Sequence, residues 1–72
     1  MENKKFKVIN RGACETFEVD DEWLDNIPRD GIEELELVTG GENDKVIVTY
    51  SDGKMVSWEN VHGTWGFPTT LE

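Results

Sequence analysis

The chain has 72 residues, a formal net charge of −9 and a hydrophobic fraction of 36%. That length sets one small domain, expected over residues 1–70, which buries only roughly 60% of the surface its unfolded form exposes. Three Trp, three Phe and one Tyr exclude a disordered acidic tail, and no apolar run approaches the ~18–20 residues that cross a bilayer.

The elements follow in chain order. "KKFKVIN", residues 4–10, reads as a first strand with Phe6 and Val8 inside, Ile9 undecided and the lysines outside. "NRG" is a turn, because Asn and Gly tolerate the left-handed region. "CETFEV", residues 14–19, reads as a second strand, with Phe17 and Val19 on one face and Thr16 and Glu18 on the other. The two form a hairpin. The period then changes. Trp23, Leu24 and Ile27 fall on one helical face, Asp20 or Asp21 is the N-cap, and Pro28 stops the helix. Two turns are marginal alone, so Trp23 and Ile27 must dock on a sheet. Glu22, Asp25 and Asn26 then lie opposite the buried face.

"IEELELV", residues 32–38, alternates again, with Leu35 and Leu37 opposed to Glu34, Glu36 and Val38. "TGGEND" is a loop. "KVIVTYSDGKMVSWENV", residues 45–61, carries two β-rich runs around Asp52-Gly53, a pair favoured by a two-residue type I′ turn. In that register Tyr50 faces Met55, Val48 faces Ser57 and Ile47 faces Trp58. Apolar residues on both faces put this hairpin in the middle of the sheet. "HGTWGFPTT", with two glycines and a proline, is expected to form no long regular element. The predicted class is therefore α+β: a mostly antiparallel five-stranded sheet in the order β-β-α-β-β-β with one short helix. Periodicity leaves open whether the sheet stays open or curls into a small barrel. Leu71-Glu72 reads as a tag-junction remnant and is set apart from the fold.

The charge is unevenly placed. Residues 1–11 hold Lys4, Lys5, Lys7 and Arg11 against Glu2, a net +3. Residues 12–44 hold twelve acids and Arg29, a net −11. Residues 45–72 hold two bases and three acids, a net −1. Concentrating like charge costs self-repulsion. Solubility alone is served equally well by mixed charge spread over the surface.

Catalytic and metal chemistry lack raw material. His62 is the lone histidine and reads as a loop residue, and Cys14 is the lone cysteine and reads as a small strand residue. Its neighbours Glu15 and Glu18 have the wrong sign to activate a thiol. A lone cysteine leaves no internal disulfide, and no secretory signal is visible, so a cytoplasmic location is expected. "TGGEND" lacks the Lys and the following helix of a phosphate loop. No Cys/His set has zinc spacing, and Glu42, Asn43 and Asp44 do not fit an EF-hand loop. No enzyme activity, cofactor or metal is expected. Four bases in the first eleven residues make too small a patch for direct nucleic-acid binding, and the rest of the surface repels phosphate.

A surface for a basic partner remains, against the plainer reading that the acids only solvate the chain. The expected partner-binding residues are Glu18, Asp21, Glu22, Asp25, Glu33, Glu34 and Glu36. Carboxylates two apart on a strand stand about 6.6 Å apart, close to the gap between neighbouring phosphates of a nucleic-acid strand. In size, charge and α+β make-up the chain resembles the small acidic proteins with which bacteriophages block host DNA-binding proteins. Those include inhibitors of uracil-DNA glycosylase, of restriction enzymes and of the histone-like nucleoid protein HU. The resemblance implies a DNA mimic in host takeover, with an HU-like dimer as a favoured target. It carries over no individual residue.

A second resemblance is local. "VTYSDGKMVSWENV" is similar to the hairpin of Tudor and SH3-like barrels. It implies a small interaction module that binds a peptide or joins a larger assembly, with Tyr50, Trp58, Trp65 and Phe67 as candidates for an aromatic cage. The opposing reading puts Trp58 in the core and Trp65 with Phe67 over the sheet end. Exposed aromatics would instead mark a binding hot spot or the seam of a homodimer.

Overall fold

The computed structural model describes residues 5–71. Lys4, the first residue of the expected strand, and Glu72 lie outside them. The elements are β1 (Phe6–Asn10), β2 (Glu15–Val19), α1 (Asp21–Leu24), β3 (Ile32–Val38), β4 (Lys45–Tyr50), β5 (Met55–Val61) and β6 (Thr64–Thr70). The class is α+β, with one short helix against one sheet. The sheet has six strands, not five, in the order β2-β1-β3-β4-β5-β6. It is open, not closed into a barrel, because β2 and β6 have no second neighbour among the described residues.

The sheet is also mixed. β1 pairs antiparallel with β2 but parallel with β3, where Val8 meets Leu35 and Ile9 meets Glu36. α1 and its flanking loops carry the chain across β1, so β3 arrives on the far side in the same direction. The other three pairings are antiparallel.

Alternation divides the sheet into two faces. Phe6, Val8, Val19, Leu35, Val46 and Val48 point to the helix side and form the core with Leu24, Ile27 and Trp65. Lys7, Ile9, Thr16, Glu18, Glu34, Glu36, Ile47, Met55 and Ser57 sit on the other face, as their cross-strand partners require. α1 covers only the first face. Ile9, left undecided by the sequence, is therefore on the open side and half-buried.

The helix is one turn long, shorter than expected. Asp20 is its N-cap, accepting from the Trp23 N–H at 3.3 Å. Asp25 ends it by turning left-handed at φ 53°, three residues before Pro28. Tertiary bonds hold that early exit. The Thr64 hydroxyl donates to the Asp25 carboxylate, and the Asn26 amide donates to Thr64 Oγ1 at 3.2 Å and to the Trp65 carbonyl at 3.1 Å. Leu24 and Ile27 still reach the core, at 0% and 1% exposure. Trp23 is half-buried between Phe17, edge-on at 6.2 Å, and Trp65, tilted at 5.2 Å.

Three turns depart from expectation. The β4–β5 loop has three residues, not two. Gly53 N–H donates to the Tyr50 carbonyl, Tyr50 N–H donates to the Lys54 carbonyl, and Gly53 stands at φ 91°. This is a type I turn closed by a left-handed glycine. The register moves by one: Thr49 faces Met55, Val48 faces Val56, Ile47 faces Ser57 and Val46 faces Trp58. Trp58 thereby joins the helix side. The two-residue turn occurs at His62-Gly63, with φ 56° and 81°, both left-handed as a type I′ turn requires. It starts β6, the strand that the Gly and Pro content of "HGTWGFPTT" argued against. β6 tolerates Pro68 because it is an edge strand, and a register shift between Ser57 and Glu59 takes up Phe67 and Pro68. Cys14 lies in the β1–β2 turn at φ 55°, before β2 begins, and is not a strand residue.

Candidate functional site

The seven acids singled out by sequence divide between the two sides of the sheet. On the open face Glu34 and Glu36 project from β3, two residues apart. β1 lies alongside and supplies bases. The Arg11 guanidinium reaches Glu34 at 3.4 Å and Glu36 at 3.2 Å. Glu18, on β2, stands cross-strand from Lys7. The open face therefore interleaves acid with base, because the basic N-terminal strand is inserted between the acidic β2 and β3.

On the helix side Asp21, Glu22 and Asp25 share α1 and its C-cap. Asp21 and Glu22 occupy the first turn, where the helix dipole favours negative charge. Arg29 folds back under this turn. Its guanidinium donates to the Asp21 carbonyl at 3.0 Å and to the Asp25 carbonyl at 3.2 Å, and lies 3.9 Å from the Asp21 carboxylate. Those bonds satisfy carbonyls left open where the helix stops. Glu22 has no ion pair among the described residues. Glu33 is exposed where the β3 register shifts between Ile32 and Glu34. It shares a shallow depression with Lys5 and Lys7.

Other acids of residues 12–44 add to this picture. Glu15, Asp30, Glu42 and Asp44 are exposed and also lack an ion pair among the described residues. Asn43 is engaged from its loop with β5, donating to Glu59 at 2.8 Å. No group of three or more His, Cys, Asp or Glu is placed to hold a metal ion among the described residues. His62 is an exposed turn residue.

The four candidate cage aromatics do not assemble. Trp65 is 5% exposed, packs on Trp23 and donates its indole N–H to the Trp23 carbonyl at 2.8 Å. Phe67 is 70% exposed at φ 51° and covers nothing. Tyr50 and Trp58 do come together, in a cleft with Pro28 and Val56 that the acids Asp30 and Asp52 also line. Sequence reasoning missed both acids at this place. The one-residue error in the β4–β5 register hid the fact that Trp58 and Tyr50 share a face. Burial raises the Tyr50 phenol above its ordinary 10.0, and its hydroxyl donates to the Pro28 carbonyl at 2.9 Å. Among the described residues no helix is long and apolar enough to cross a membrane. No family model, curated protein or solved structure matched the chain.

Proposed function

We propose that the chain is an acidic interaction protein that imitates the charge of DNA and blocks the DNA-binding surface of a basic protein of the HU type. The observation that carries this reading is the imbalance of charge on a rigid frame. Residues 12–44 hold a net −11, yet only Arg11 and Arg29 form ion pairs among the described residues. Glu15, Glu18, Glu22, Glu33, Glu42 and Asp44 form none there. Glu22 rides on a turn fixed by the burial of Leu24 and Ile27. Fixed carboxylates attract a basic surface at long range, and the attraction weakens with salt as that of DNA does. The Glu34–Glu36 pair joins such an interface when a partner's arginine replaces Arg11.

Competition tests the proposal. The protein should displace a fluorescent DNA duplex from an HU-type nucleoid protein, followed by anisotropy at ~0.1 M salt, where the screening length is about 10 Å. Binding that leaves the DNA in place would refute it. The second reading, a small module that reads a peptide, is favoured by the Tyr50–Trp58 cleft.

A further inference from the structure

The cleft near the β4–β5 turn is built, not incidental. It is an open cleft of about 350 Å³, at the lower end of the roughly 300–1,000 Å³ of small-ligand sites. That suits one long side chain better than a cofactor. Two hydrogen bonds tie its walls together: Tyr50 hydroxyl to the Pro28 carbonyl at 2.9 Å, and Ser51 N–H to the Gly31 carbonyl at 2.7 Å. Preformed walls lower the ordering cost of binding. Pro28, Tyr50, Val56 and Trp58 make it apolar and aromatic, and Asp30 and Asp52 outweigh Lys54 in charge. Among the described residues the indole N–H of Trp58 is buried without an acceptor, and a guanidinium, itself only a donor, does not supply one.

We infer that this cleft takes an arginine side chain displayed by a partner protein. Aromatic faces attract a cation, and a planar guanidinium both stacks on rings and meets carboxylates with paired hydrogen bonds. The ammonium of Lys54 sets a limit on affinity, and a bound guanidinium must sit toward Asp30 and Asp52. Arginine binding here does not require the partner to be a DNA-binding protein. Failure to displace DNA would leave it intact, and failure to bind arginine would leave the competition result intact.

The test is an NMR titration of the ¹⁵N-labelled full chain with the peptide acetyl-Gly-Gly-Arg-Gly-Gly-amide. Citrulline and glutamate versions of the same peptide serve as controls. The Trp58 indole N–H signal and the amides of Tyr50 and Val56 should shift saturably with the arginine peptide. The citrulline peptide, isosteric but neutral, should bind at least ~10-fold more weakly, since the charge-dependent part of the attraction is gone. Equal binding of the citrulline or glutamate peptide would overturn the inference, as would shifts confined to α1. A double variant, Asp30→Asn with Asp52→Asn, changes only exposed side chains and preserves the Asp52 oxygen that accepts from Lys54 N–H at 3.0 Å. It should keep the fold and weaken the arginine peptide ~5-fold or more, the order expected when exposed carboxylates are removed from a charged interface. Unchanged binding in that variant would equally overturn it.

Discussion

The two faces of the sheet hold their carboxylates in different states. On the open face Glu34 and Glu36 share one guanidinium, and Glu18 stands across from Lys7. On the helix side Glu22 stands without an ion pair among the described residues, and Arg29 spends most of its hydrogen bonds on backbone carbonyls. The contrast follows from topology. Inserting the basic β1 between β2 and β3 neutralises one face, while the one-turn helix lifts its acids away from β1. A count of acids along the chain therefore overstates the negative field on the open face and understates the relative weight of the helix side.

The largest expected effect comes from breaking the covered face. Leu24→Ala removes a side chain with 0% exposure that pins α1 to the sheet. It should cost about 2–5 kcal/mol in urea unfolding. The same truncation at Ile47, half-buried on the open face, should cost under about half as much, since its site is already partly wet. Equal losses would mean that the open face is covered in solution.

Charge gives the next effect. Replacing Asp21, Glu22 and Asp25 with their amides should weaken capture of an HU-type protein by roughly 10-fold or more at ~0.1 M salt. It should also lower the slope of log affinity against log salt by about one for each carboxylate that had met a cation of the partner. Glu34→Gln with Glu36→Gln should change that slope less, because Arg11 already occupies those two carboxylates.

Tyr50 sharpens the contrast through pH. Its phenol is raised by burial, so the folded chain holds this proton more tightly than the unfolded chain. The stability it contributes is complete below pH 10 and is lost as pH rises through the folded-state value. Tyr50→Phe should remove that part of the alkaline loss and cost about 1 kcal/mol at neutral pH through the missing bond to the Pro28 carbonyl. Parallel urea titrations of both proteins between neutral and alkaline pH measure it.

Arg11→Gln gives the smallest change in stability, within about 1 kcal/mol, as for other exposed ion pairs. Its use lies in binding. By freeing Glu34 and Glu36 it should tighten the hold on a basic partner ~2–5-fold at low salt, where surface charges are least screened. Unchanged binding would show that the open face takes no part.

Much of this arrangement is legible in the sequence where period and capping act locally. Phe17 and Val19 against Thr16 and Glu18, Leu35 and Leu37 against Glu34 and Glu36, and the Asp20 cap all follow from spacing two or three residues apart. What escapes is set by distant parts of the chain. The helix stops at Leu24 because Thr64 and Trp65, about forty positions on, supply hydrogen bonds to Asp25 and Asn26. β6 forms despite Gly66 and Pro68 because β5 offers an open edge. Asp52-Gly53 suits both two- and three-residue loops, and local chemistry does not choose between them. The choice moves every β5 partner by one and decides that Trp58 meets Tyr50. The candidate acids were legible as residue types, but their division between faces depends on the parallel pairing of β1 with β3.

An open sheet leaves two rows of unpaired backbone groups, and each row is a template on which another chain can extend the sheet. The β2 row is five residues long and carries Glu15 and Glu18 outward. The β6 row is broken by Pro68, which has no N–H to offer, and by the left-handed turn of the backbone at Phe67. Repulsion guards one margin and an interrupted ladder guards the other. Both devices work against edge-to-edge pairing of one sheet with another.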